Sequence, residues 1–260
     1  MIILILKGVI IGFFMLFPGL SGGSIAILLG EYDNIIVNTS NLLKNTKNSL
    51  IYLFSISVGG IIGAVISSSV IGYFTTNFYD KLIYFFLGIM IVFIVNFLYE
   101  NTNNKFRFKD IILILLGIII SVFINYIPSD IFNLNSIFSL FVFGLLVAVA
   151  LILPGISVSY ILLIFSCYDN IIYAIKNFDF LLLIRIGFFV IIGIILTIKL
   201  IENALIKYKK NTNLIISGFM IGSFYTFIKI PATIFLINEM VIFLMIGILF
   251  FLIFDKIIKK

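Results

Sequence analysis

The chain has 260 residues, of which 63% are hydrophobic and 11% charged, and it carries a net charge of +6. Soluble domains average roughly 45–50% apolar and 25% charged residues, so the composition excludes an ordinary soluble protein and points to an all-α polytopic membrane protein. One cysteine, Cys167, and no histidine exclude an intrachain disulfide, two-cysteine metal or redox motifs and histidine-based catalysis. No cofactor or metal is expected. The basic residues lie in short loops between apolar runs, which fits orientation in a bilayer and not binding to nucleic acid.

In chain order the apolar segments are about 2–36, 50–74, 82–99, 110–127, 138–172, 180–204, 213–230 and 236–254. The first begins without a charged stretch or a small-residue cleavage site, so no removable signal peptide is expected. It is broken in its middle by Phe17-Pro18-Gly19-Leu20-Ser21-Gly22-Gly23-Ser24. Proline removes a backbone donor and three glycines weaken the helix further. In lipid, a broken helix leaves amides that only protein or a water-filled cavity can satisfy. The fifth segment repeats the feature as Leu153-Pro154-Gly155-Ile156-Ser157-Val158-Ser159, and both copies run on to an identical Tyr-Asp-Asn-Ile-Ile, at 32–36 and 168–172.

Pro18 and Pro154 are 136 residues apart, and Gly60 with Gly193 and Gly88 with Gly218 follow at slightly smaller shifts. The eight segments thus form two sets of four, 1–136 and 137–260, within one integral membrane domain. Each half of a broken segment has about 16 residues, roughly 24 Å of helix, short for a crossing of about 30 Å. If both broken segments turn back, Lys7, Lys44, Lys47, Lys105, Arg107, Lys109, Lys207, Lys209, Lys210, Lys256, Lys259 and Lys260 share one side. Only Lys81 and Lys176 lie opposite, a 12 to 2 split that becomes 8 to 6 if both segments cross. Basic loops stay cytoplasmic. The expected architecture is therefore two inverted repeats, each with one re-entrant broken hairpin and three spans, and both termini in the cytoplasm. Such repeats with broken helices near mid-depth recur in secondary transporters.

The half-helix that starts near Ser24 offers unpaired amides and a positive dipole end, which suit an anion. Gly19, Gly22 and Gly23 allow close backbone approach, and the Ser21 and Ser24 hydroxyls can donate. Gly155, Ser157 and Ser159 would act likewise from the second break. The bland reading is a Pro-Gly kink with small residues for packing, and the duplication weighs against it. Arg185, Lys199 and Lys229 sit within apolar segments, where a charge faces a partner or snorkels to the interface. Arg185 is the preferred phosphate ligand because its fork matches phosphate oxygens. Glu31, Asp33 and Asp169 follow the breaks and either cap and pair locally or carry protons in coupling. Glu202 and Glu239 read as solvated helix-end groups.

PGLSGGSIAILLGEYDNII and LPGISVSYILLIFSCYDNII resemble the paired signatures of the bacterial polyprenyl-phosphate (undecaprenyl-phosphate) transporter family. Gly218-Phe219-Met220-Ile221-Gly222-Ser223 is similar to that family's late Gly-x-Met-x-Gly-Ser element. The resemblance covers nearly the whole chain. It implies return of the lipid carrier undecaprenyl phosphate across the bacterial cytoplasmic membrane for envelope synthesis. Pro18, Gly19, Ser21, Gly22, Gly23, Pro154, Gly155 and Ser157 fall on its motif positions. Ser24 stands where threonine is common, Val158 replaces a glycine, and Tyr225 stands where a basic residue is expected, with Lys229 nearby.

Other classes use some of the same features. A transporter or channel for a small soluble anion would exploit the same helix ends. Gly19-Leu20-Ser21-Gly22 looks like the nucleophile site of an intramembrane serine protease, but only Lys199 could serve as its base. The expected partners are a polyprenyl-phosphate lipid and the bilayer, with a homo-oligomer left open.

Overall fold

The structure, a computed structural model, describes residues 1–17, 20–42, 46–102, 105–124, 126, 136–158, 161–162, 165–228 and 237–258. Pro18, Gly19, Ser159 and Lys229 lie outside the described residues, and Tyr225 is described for its backbone alone. Eleven helices are formed among the described residues: α1 (Ile2–Met15), α2 (Gly22–Leu28), α3 (Tyr32–Ser40), α4 (Thr46–Asn77), α5 (Tyr79–Thr102), α6 (Phe108–Ile124), α7 (Ile137–Ile152), α8 (Tyr168–Asn177), α9 (Phe180–Lys207), α10 (Lys209–Ile228) and α11 (Ile237–Ile258). The chain is all-helical because a sequence this apolar must satisfy every amide within its own segment once water is gone.

Four helices contain stretches long and apolar enough to cross a membrane: Lys47–Ile71, Lys81–Thr102, Phe180–Lys207 and Asn238–Lys256. The spans expected at 110–127 and 213–230 fall on α6 and α10, which are shorter in apolar length. α6 is described over 17 residues, and the first turn of α10 is polar, from Lys209 through Asn213. α4, by contrast, runs for 32 residues, about 48 Å, well beyond a hydrocarbon core of about 30 Å. Outward faces of α4, α6, α9 and α11 expose Phe54, Ile61, Ile119, Phe123, Phe188 and Ile253, side chains suited to lipid and not to water.

Helix directions follow from which residues touch. A Cβ on Gly59 would collide with Ile5 O, and one on Gly63 with Val9 O and Phe13 N, so α1 and α4 run parallel in close contact. The start of α4 therefore lies at the same end as the start of α1. Lys7 Nζ donates to Leu29 O at 3.1 Å. α7 and α9 are likewise parallel, with Gly144 against Phe189 and Gly193 against Ala148.

Two further close contacts cross between the halves. Gly88 of α5 lies against Leu244 O and Ile248 N of α11, and Gly218 of α10 lies against Ile114 O and Ile118 N of α6. Each member of the first set is 130 residues from its counterpart in the second. Small residues let these backbones approach where no hydrophobic force separates helix from lipid. Two apolar cores result. One gathers Leu16, Phe17, Leu20, Phe86, Met90 and Met220 about the first break, and the other gathers Phe143, Ile156, Val158, Ile161, Phe165 and Phe219 about the second.

Candidate functional site

α1 ends at Met15, and Ser21 opens α2 in an extended conformation. A serine at this position normally accepts a bond from the next turn's amides, but the Ser21 side chain makes no cap bond here. Ser21 and Ser24 are both 2% exposed, and neither hydroxyl has a hydrogen-bond partner among the described residues. A buried polar group left unsatisfied costs about 1–3 kcal/mol, which an oxygen-rich ligand would recover.

The second break repeats the backbone of the first at the 136-residue shift. Ile25 N–H donates to Ser21 O at 3.1 Å, and Ile161 N–H to Ser157 O at 3.1 Å. Glu31 N–H donates to Ala26 O at 2.8 Å, and Cys167 N–H to Leu162 O at 2.8 Å. This long-range closure of a helix end requires a left-handed residue, supplied by Gly30 (φ 69°) in one copy and Ser166 (φ 53°) in the other.

The two breaks meet. A Cβ on Gly23 would lie 3.0 Å from Pro154 Cα and N, so α2 begins against the second break. Gly155 (φ 91°) is pressed on α10, where a Cβ would lie 2.5 Å from Met220 N. Tyr168 Oη donates to Leu16 O at 3.1 Å, tying the start of α8 to the end of α1. Tyr32, the counterpart of Tyr168, is 6% exposed, and its hydroxyl has no partner among the described residues.

Beside this junction lies a cavity of about 290 Å³. Gly22, Gly23, Tyr32, Thr39 and Ser57 contribute its polar or bare-backbone lining. Ile11, Met15, Ile56, Leu151, Ile152, Ile194 and Ile198 make the rest apolar. On another side of α2, Leu20, Ile25 and Leu28 face Phe14, Phe86, Phe250 and Phe254 around a wholly apolar cavity of about 190 Å³.

The remaining expected site residues are scattered. Arg185 and Lys199 are exposed on α9, and neither lines the larger cavity. Arg185 precedes Ile194 by nine residues, about 13 Å along a helix. Asp169 is exposed in the first turn of α8. Asp33 pairs with Lys209 at 3.0 Å on the surface, and Glu239 with Lys81 at 3.4 Å. Glu202 is not merely solvated, since it accepts the Ser40 hydroxyl.

Glu31 is the most constrained of the acids. It takes Lys7 Nζ at 2.5 Å, Tyr52 Oη at 2.6 Å and Asn34 Nδ2 at 3.2 Å. Sequence reasoning missed Lys7 as its partner, although a lysine inside the apolar α1 was a signal of the same kind as Arg185. It also passed over Tyr32 and Tyr168 as site residues, although the repeated Tyr-Asp-Asn-Ile-Ile contained both. The counterpart of Glu31 in the second copy is Cys167, so this ion pair belongs to one half alone.

The model of the undecaprenyl phosphate translocase-like family matches residues 11–242. The chain belongs to that family. This translocase-like chain is 31% identical over 238 residues to a polyprenyl-phosphate transporter of Staphylococcus aureus, covering 85% of the chain and 84% of the relative. A polyprenyl-phosphate transporter of Vibrio cholerae is 27% identical over 235 residues, covering 84% of the chain and 74% of the relative. No solved structure matches the translocase-like chain. With its apolar helices, the family assignment makes it an integral membrane transport protein.

Proposed function

We propose that this protein returns undecaprenyl phosphate, or a related polyprenyl phosphate, across the bacterial cytoplasmic membrane. Two inverted repeats, 1–136 and 137–260, work by alternating access, with the phosphate held where their broken hairpins meet. The observation that carries the reading is the junction itself. Gly23 abuts Pro154 beside a cavity that Gly22, Gly23, Tyr32, Thr39 and Ser57 line among mostly apolar side chains, with Ser21 and Ser24 buried next to it in sequence and not on its lining.

The headgroup is assigned to Ser21, Gly22, Gly23 and Ser24 from the first half and to Gly155 and Ser157 from the second. The unpartnered Ser21 and Ser24 hydroxyls support that assignment, because a phosphate oxygen would satisfy them. The polyprenyl tail needs no polar pocket and leaves along the apolar wall into lipid. The parallel pairing of α1 with α4 and α7 with α9, together with the crossed α5–α11 and α6–α10 pairs, supports the inverted arrangement.

Arg107, Lys109, Lys207, Lys209 and Lys210 gather at the end where α1 begins. Asp110–Lys210 at 2.8 Å and Asn101–Asn213 at 2.6 Å tie that end together. Basic surfaces face the cytoplasm, which puts this end inside and Arg185 near the outer face. Arg185 then receives the lipid phosphate at the outer mouth, before it reaches the junction. Reconstitution in vesicles with a fluorescent polyprenyl phosphate tests the whole reading. Transbilayer movement should exceed that of protein-free vesicles, and equal rates would refute it.

A further inference from the structure

The two tyrosines that open the repeated Tyr-Asp-Asn-Ile-Ile stretch differ in bonding. Tyr168 Oη is tied to Leu16 O at 3.1 Å. By the 136-residue shift, the bond that Tyr32 would make in its own half's version of that contact is to Ile152 O. Tyr32 and Ile152 both line the larger cavity beside Gly22 and Gly23, yet the Tyr32 hydroxyl is buried without a partner among the described residues. A buried phenol left unsatisfied costs about 1–3 kcal/mol, which a bond to Ile152 O or to a ligand oxygen would recover.

We propose that Tyr32 and Tyr168 exchange roles, one latching the closed side while the other donates its O–H to the phosphate headgroup in the open side. In the present conformation Tyr168 is the latch and Tyr32 is the headgroup donor. In the mirrored conformation Tyr32 closes on Ile152 O, and Tyr168, released from Leu16, takes the phosphate. The inference rests on the inverted-repeat transport reading and deepens it by naming a positioning residue from each half. It gives both halves the same donor chemistry even though Glu31 and Cys167 differ.

The test uses full-length protein in nanodiscs, with Thr39→Cys as a reporter in a Cys167→Ala background, because Thr39 lines the cavity and is half-buried. Tyr168→Phe removes the present latch and should lower maleimide labelling of the reporter by up to about fivefold, because one hydrogen bond of about 1 kcal/mol changes the ratio of the two states by that factor. Tyr32→Phe removes the opposite latch and should keep or raise that labelling while weakening farnesyl phosphate binding several-fold. Shifts in the same direction for both variants, as misfolding would give, overturn the proposal, and so do unchanged labelling and affinity. Inorganic phosphate is titrated beside farnesyl phosphate. Tight binding of inorganic phosphate alone would make the substrate a soluble anion and overturn the lipid reading, while opposite labelling shifts would still uphold the tyrosine exchange.

Discussion

Lys7 Nζ and Glu31 Oε1 stand 2.5 Å apart, joining the middle of α1 to the start of α3 across the first break. Glu31 is 9% exposed at its side chain and Lys7 30%, so removing one partner leaves the other charge poorly solvated. Breaking a fully buried pair costs about 3–5 kcal/mol, and the partial exposure of Lys7 lowers this to about 1–3 kcal/mol. Glu31→Ala should therefore lower the thermal midpoint in detergent by several degrees, and Lys7→Met added to Glu31→Leu should recover part of the loss. Lys209→Ala, which breaks only the surface pair with Asp33, should cost at most about 0.5 kcal/mol. Size-exclusion thermal melts compare all three.

Removing the Ser21 hydroxyl separates a ligand role from a structural one. The group has no protein partner among the described residues, so Ser21→Ala should leave the melting temperature unchanged or raise it slightly. Affinity for a polyprenyl phosphate should nevertheless fall about ten- to a hundredfold, the worth of one hydrogen bond to a charged oxygen. A lower melting temperature with unchanged affinity would make the serine a structural residue and move the site elsewhere.

Gly23 allows the two breaks to touch. Placing a Cβ 3.0 Å from Pro154 Cα and N requires backbone to give way, because the neighbour is not a flexible side-chain tip. Gly23→Ala should slow vesicle transport at least tenfold, and Gly23→Val should abolish it. Gly187→Ala, at a glycine whose added Cβ meets nothing within 4 Å, is the control and should transport normally.

Arg185 is an exposed side chain near the start of α9, so its loss should change stability by less than about 0.5 kcal/mol. If it receives headgroups at the outer mouth, Arg185→Ala should slow uptake from the outer leaflet several-fold while leaving movement from the inner leaflet less affected. Arg185→Lys should recover part of the rate, because charge is kept but the planar fork is lost. Sided assays with lipid loaded into one leaflet read the difference.

Several features were legible before any coordinates. Long unbroken apolar runs pointed to helices, since lipid leaves amides to pair within a helix or around a closed barrel, and barrel strands alternate in polarity. Proline and glycine marked both breaks, and at the 136-residue shift Ile25 and Ile161, like Glu31 and Cys167, each donate to equivalent carbonyls within their own copy. Loop charge is the ground for proposing that the broken segments turn back. Other features depended on which faces meet. These helices are apolar nearly all round, so no periodic stripe announced that Gly23 would touch Pro154, that Tyr168 would reach Leu16, or that Lys7 would find Glu31. The outward turn of Arg185 was hidden for the same reason, because a face toward lipid and a face toward a neighbouring helix read alike in a uniformly greasy segment. Only close packing between residues far apart in the chain could tell them apart.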